Sequence, residues 1–204
     1  MKLRNKNLKI LKSNHIYSEE MEHDACGVGL VASTEGLKSR KVVEYGIDAL
    51  KAVWHRGAID ADGKTGDGAG IHIEIPKDFF EEKIEVTGHK HDNSELCVGM
   101  IFLPRNDYSA QEQCRTIVES ELTKRNFSIY GWRQVPVDPS VLGEKAEQTR
   151  PEITQVLFTY NDKKVVNKSL EQKLYETRRV IEKEALNNQL NNFYICSFSS
   201  KSII

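Results

Sequence analysis

No charge of either sign dominates this sequence: 29 lysine and arginine residues stand against 30 aspartate and glutamate residues, a formal net charge of -1. Without an excess there is no overall field to draw the chain onto nucleic acid or an anionic membrane, and a small neutral or zwitterionic ligand suits it better. Long apolar runs are lacking too. The longest, around Val98–Leu103 and Cys26–Ala32, fall far short of the ~20 residues that span a bilayer, so no membrane span is expected. The start is basic, with Lys2, Arg4, Lys6, Lys9 and Lys12, but polar residues interrupt every apolar stretch and no secretory core follows. A cytoplasmic location is the plain reading. Cysteine is scarce, and Cys26, Cys97, Cys114 and Cys196 form no CxxC pair, which argues against a zinc knuckle or an iron–sulfur motif. Disulfides are not expected in a reducing compartment. Repeats and low-complexity tracts are absent, so neither a solenoid nor an interaction tail has support.

What is present suffices for one sizeable core: 204 residues, 39% of them hydrophobic, near the upper end of common single-domain lengths. Residues 1–25 lack periodicity and end in Glu19, Glu20, Glu22 and Asp24, the pattern of a mobile solvated arm. The ordered fold is expected to begin at Cys26, with Cys26–Ala32 as a buried strand whose Gly27 and Gly29 admit a close backbone or ligand. Ser39 caps a helix in which Val43, Ile47, Leu50 and Trp54 share one face; Gly57 is placed to end it, and it should pack on a sheet.

Residues 57–70 hold Gly57, Gly63, Gly66, Gly68 and Gly70 with Asp60, Asp62 and Asp67, a composition that demands a tight structured loop. It runs into an alternating strand over Ile71, Ile73 and Ile75, closed by Pro76. Further strands are expected at Leu96–Leu103, Phe127–Val135, Ile153–Tyr160 and Phe193–Phe198. Between them Ser109 with Glu112, and Ser169 with Gln172, read as capping boxes opening two helices. The stretch from Pro136 to Pro151 reads as irregular with one short helix. Two layers of sheet, or one sheet with helices outside it, both fit this order. Cys97, Cys114 and Cys196 read as buried small hydrophobes.

Several near misses are set aside on physical grounds. Ala58-x-x-x-x-Gly63-Lys64-Thr65 differs from a P-loop only at its first position, but the flanking elements come in the reverse order, helix before and strand after. Asp60 and Asp62 resemble a calcium loop, yet Gly63 falls too early and Ile71 stands where the closing glutamate belongs. His89 and His91 fit a surface loop better than a metal site. The mixed charges between Lys163 and Glu184 read as the solvated face of a helix.

An arbitrary cysteine before an apolar run would be a core residue, and for Cys26 the surrounding sequence alters that reading. Glu22-His23-Asp24-Ala25-Cys26-Gly27-Val28-Gly29, His55-Arg56-Gly57-Ala58 and Thr65-Gly66-Asp67-Gly68-Ala69-Gly70 resemble the start of glutamate synthase large subunits. Phe79-Phe80, Gly99-Met100-Ile101-Phe102-Leu103, Gly131-Trp132-Arg133-Gln134-Val135-Pro136, Leu142-Gly143 and Phe193-Tyr194-Ile195-Cys196-Ser197 follow in the same order. Those subunits open with a class II glutamine amidotransferase domain of the N-terminal-nucleophile fold, an α+β sandwich layered αββα, whose mature chain starts at the catalytic cysteine. The resemblance therefore divides the chain into a leader, 1–25, and the first part of that domain, 26–204, with the sandwich incomplete.

It also implies a chemistry. Glutamine would be hydrolysed to glutamate and ammonia, with the ammonia passing to 2-oxoglutarate. Cys26 would be the nucleophile, its thiol near ~8.5 exchanging protons with its own α-amine near ~8. A peptide bond to Ala25 abolishes that amine's basicity, so residues 1–25 should be removed, by the protein itself as in the resembled family. His55, Arg56, Gly57, Gly66, Asp67 and Gly68 would support the pocket. FMN, an iron–sulfur cluster and reducing equivalents from NADPH, NADH or ferredoxin belong to the resembled full-length enzymes; no motif for them occurs here. Partners would be the remainder of the large subunit and a small reductase subunit. In the resembled domain the arginine that clamps the substrate carboxylate and the Asn-Gly oxyanion pair follow the strand matched by Phe193–Phe198, and this sequence has no Asn-Gly. These 204 residues alone are thus expected to be catalytically incomplete. The alternative is a non-catalytic domain that binds a partner through an open sheet edge; a cysteine redox protein is disfavoured because Cys26 lacks a nearby resolving cysteine.

Overall fold

A computed structural model describes residues 27–53, 57–91, 94–162 and 168–204. The expectations placed on Cys26, Trp54, His55 and Arg56 lie outside the described residues. The expected strand after Cys26 is absent: residues 27–32 are irregular, and Val28 and Leu30 are each 91% exposed. A strand requires a neighbour to pair its backbone, and no described strand lies beside this run. Helix α1 (Arg40–Ala52) forms where expected, with the Ser39 hydroxyl accepting from the Lys41 amide, but it ends at Val53 instead of at Gly57. It packs less than expected. Val43, Ile47 and Leu50 are only half-buried and no residue of the helix is fully covered.

The strand expected over 71–75 shrinks to β1 (Ile73–Glu74) and is followed directly by α2 (Lys77–Val86), a helix not anticipated from the sequence. Its signal was there: Pro76 at the N-cap and Phe80 and Ile84, one turn apart, both buried. Strand β2 (Leu96–Leu103) leads to α3 (Tyr108–Lys124) and β3 (Phe127–Gln134). A 3₁₀ turn at Pro139–Val141 and the short α4 (Glu144–Thr149) then precede β4 (Glu152–Tyr160). The chain continues through α5 (Lys168–Asn187) to β5 (Tyr194–Ser199) and β6 (Ser202–Ile203). Both capping-box expectations require correction. Asp107 caps α3 two residues earlier, its carboxylate accepting from the Ala110 amide at 2.9 Å; an ionised acceptor outcompetes the Ser109 hydroxyl for that role. Lys168 is already helical, which puts Ser169 inside α5 and not at its cap.

The fold is α+β with antiparallel sheets. The main sheet runs β3-β4-β2-β5, and β1 pairs with β6 in a separate two-stranded ladder. Alternation along β2 divides the core. Cys97, Ile101 and Leu103 join Val118 and Leu122 of α3 and Leu174 and Ile181 of α5, while Leu96 and Val98 face Phe80, Ile84, Ile75 and Ile203. Gly99 sits where the first face is tightest: a Cβ there would come within 2.7 Å of the Phe198 ring and 2.8 Å of Val156 Cγ1. The glycine is needed for that close approach.

Candidate functional site

Residues 57–68 fold as a small hairpin, none of it buried. Ile59 and Gly66 form an isolated antiparallel bridge. The Asp60 amide donates to Thr65 O at 2.7 Å and the Gly63 amide to Asp60 O at 3.0 Å, with Gly63 at φ +69°, a conformation that favours glycine. Asp67 closes the base, its Oδ2 accepting from the Ala58 amide at 2.9 Å while its own amide reaches Ala58 O at 3.3 Å. Gly66 packs tightly beside this clasp, where a Cβ would lie 3.1 Å from Ala58 O, whereas Gly68 has open space around it. Of the residues assigned to the pocket, Gly57, Gly66, Asp67 and Gly68 thus share one loop; Cys26, His55 and Arg56 lie outside the described residues.

The loop is held from its tip as well. Asp62 Oδ1 accepts from the amides of Lys64 at 2.9 Å and Thr65 at 2.7 Å, and Oδ2 accepts from the Thr65 hydroxyl at 2.5 Å. The hydroxyl bond first, then the two amides, hold the Asp62 carboxyl well below the usual carboxylate range. Thr65 Oγ1 also accepts from the Ala146 amide at 3.4 Å, and Lys145 Nζ donates to Asp60 Oδ2 at 2.7 Å. The composition of the loop marks Asp62 as part of a tight turn but does not assign it these partners. The Asp-x-x-Thr spacing of an Asx-type turn was the available signal.

Helix α4 is pinned in turn. Arg150 Nε donates to Glu147 Oε2 at 2.8 Å, and Arg105 pairs with Glu147 Oε1 and donates to Glu147 O at 3.0 Å. Arg150, then Arg105, hold the Glu147 carboxyl down to about 2 from its ordinary 4.5. A carboxyl depressed on folding favours the folded form above its unfolded value and loses that contribution as pH falls through the folded one. The attachment of α4 is therefore expected to weaken between about pH 4.5 and 2, read as faster amide exchange over 144–149. Glu147→Gln should abolish this pH dependence; an unaltered acid profile in that variant would contradict it.

Elsewhere the thiols are protected. Cys97 and Cys114 are fully buried and Cys196 is partly so, all free. Burial pushes the Cys97 thiol far up, Cys114 up to about 11 and Cys196 above its ordinary value, which leaves them unreactive at neutral pH. Among the described residues no group of three histidine, cysteine, aspartate or glutamate side chains could hold a metal. No described helix is long and apolar enough to cross a membrane. His91 departs from the surface-loop reading: its side chain is only 8% exposed, with Nδ1 3.2 Å from Glu81 Oε1 and its ring edge-on to Tyr130. Burial against α2 and β3 removes it from solvent. His89 stays near the surface, 3.1 Å from the Thr87 hydroxyl. In the Trp132 segment the indole N–H donates to Glu119 at 2.7 Å and the Arg115 guanidinium stacks on the ring, a packing role.

The sequence pattern of the class II glutamine amidotransferases matches residues 26–204. The chain belongs to that family. Among proteins similar to this amidotransferase chain is the glutamate synthase (NADPH) large chain of Azospirillum brasilense, 53% identical over 198 residues, covering 97% of this chain and 13% of that protein. The ferredoxin-dependent glutamate synthase of Pyropia yezoensis is 36% identical over 200 residues, covering 96% of this chain and 13% of that protein. The chloroplastic ferredoxin-dependent glutamate synthase 2 of Arabidopsis thaliana is 35% identical over 199 residues, covering 95% and 12%. The amidotransferase chain thus spans 13% of the length of the first two of these relatives.

Proposed function

We propose that this chain is the glutaminase part of a glutamate synthase large subunit, acting in the cytoplasm with Cys26 as nucleophile. The observation that carries the reading is the family match that begins at Cys26 and runs to residue 204. Residues 1–25 act as a leader whose removal frees the Cys26 α-amine. The thiol then attacks the carboxamide carbon of glutamine, and the amine takes the thiol proton and delivers it to the departing ammonia. Water cleaves the resulting thioester, releasing glutamate and restoring the thiol. Gly57, Gly66, Asp67 and Gly68, with His55 and Arg56, shape the pocket; the clasp of Asp67 on Ala58 supports that role. The αββα layering is supported by α3 and α5 covering one face of an antiparallel sheet and by a second ladder, β1–β6, beyond the other.

The ammonia would meet 2-oxoglutarate in the remainder of the large subunit, with a reductase subunit supplying electrons. FMN and the iron–sulfur cluster are assigned to those other parts. The described cysteines lie in three separate elements, β2, α3 and β5, buried or partly so, a donor set that does not fit a cluster. The test is a glutamine-shaped electrophile applied to the full-length protein. Its mass should appear on a chain that begins at Cys26, in step with loss of glutamate release; full activity in protein that retains Ala25 would overturn the reading.

A further inference from the structure

We propose that α4 is the seat that holds the glycine-rich hairpin in its binding shape, making Asp62, Thr65 and Gly143 positioning residues for glutamine. This rests on the glutaminase reading above. Nothing in the hairpin is buried, so apolar contact contributes little to its order. Directed polar bonds must fix it, and they converge on one place. Thr65 Oγ1 gives its proton to Asp62 and accepts from the Ala146 amide, while Lys145 reaches Asp60. The chain at Gly143 passes so close that a Cβ would lie 2.2 Å from Thr65 Oγ1 and 2.3 Å from Asp62 Oδ2. Only glycine permits that approach, because the atoms opposite are themselves locked by hydrogen bonds and cannot withdraw.

The hairpin carries this constraint from its tip to its base. The Asp60–Thr65 bond, the Ile59–Gly66 bridge and the Ala58–Asp67 clasp are successive rungs. A shift of the tip away from α4 would therefore displace Gly66 and Asp67 together. Helix α4 cannot readily follow such a shift, since Glu147 ties it to Arg105, just past the end of β2. The main sheet thus indexes the position of a loop that does not touch its core.

The experiment uses the full-length enzyme with Thr65→Val, Gly143→Ala and the conservative Thr65→Ser. Misplacement of a binding loop by about 1 Å costs up to about 100-fold in activity. We expect Thr65→Val and Gly143→Ala to raise the KM for glutamine by roughly 10- to 100-fold and to slow labelling of Cys26 by the glutamine-shaped electrophile in parallel. Labelling by iodoacetamide, which needs no pocket, should proceed at the parent rate. Thr65→Ser, which keeps both hydrogen bonds, should return KM to near the parent value. A parent-like KM in Thr65→Val sinks the inference, as does equal slowing of both labels or failure of Thr65→Ser to recover. Thr65→Val decides the matter even where Gly143→Ala does not fold. Absence of glutamate release from glutamine by the parent enzyme would instead overturn the glutaminase reading, so the two failures are separable.

Discussion

Glutamine hydrolysis by the full-length protein should fall by about 10⁴–10⁶-fold when Cys26 is replaced by alanine, the scale seen when a covalent nucleophile is removed. Without the thiol there is no proton to exchange with an amine and no thioester to form. No other described thiol can substitute. Cys97 and Cys114 are enclosed by apolar side chains, and burial holds all three described thiols in the protonated form. On the proposed glutamate synthase reading, synthesis of glutamate from ammonia supplied in solution should persist, because that route bypasses the amide. Measuring glutamate release and the ammonia-driven reaction on the same preparation separates loss of chemistry from loss of fold. Glutaminase activity within tenfold of the parent would assign the nucleophile elsewhere.

Phe158→Ala is expected to destabilise the domain by about 3–5 kcal/mol, the usual cost of deleting a buried aromatic ring. Phe158 is 0% exposed and stands on β4 between two other rings, 5.5 Å from Phe127 in an edge-on arrangement and 4.8 Å from Phe198. Truncation would remove both aromatic contacts and leave a void beside Phe198 and Phe127. That site cannot collapse easily because Phe198 is already pressed against Val156 and the Gly99 backbone. Denaturant unfolding provides the measurement, with the midpoint moving and the slope unchanged. A loss below about 1 kcal/mol would mean that the sheet closes over the gap, contrary to the tightness at Gly99.

The parts of the fold that could be read from the sequence are those whose cause lies within a few residues. Leu96–Leu103 was located to the residue because a run of apolar side chains buried on both faces has no competing explanation as a surface segment. The other three main strands fall where expected with shifts of one residue at some ends, although β3 and β5 are only partly buried and carry no such run. Helix starts were less secure, since Asp107 and Ser109 both qualify as caps by type and only the geometry of the first turn distinguishes them. Residues 27–32 failed because β propensity is a property of a pair, and half of the pair cannot be read locally. Helix α2 was overlooked because its buried face consists of Phe80 and Ile84 alone, too little periodicity to register.

The candidate site shows the same boundary. The glycines and aspartates of 57–68 announced a structured loop, and the short-range clasp from Asp67 to Ala58 lies within that prediction. The bond from Lys145 to Asp60 crosses 85 residues, and nothing in either segment names the other. His91 likewise reads as polar and exposed until α2, whose existence was missed, comes to lie against it.

The strand order has a consequence during synthesis. β2 occupies an interior position in the main sheet, yet both of its partners, β4 and β5, are encoded after it. At about 5–20 residues per second, the roughly 50 residues between β2 and β4 leave the edge that pairs with β4 open for about 3–10 seconds on the ribosome, and the edge that pairs with β5 for longer. β3 cannot relieve this, because it pairs with β4 and not with β2. The earliest strand of the sheet must therefore wait for the third, and the ribosome's pace sets how long Val98 and Ile101 stay open to neighbouring nascent chains.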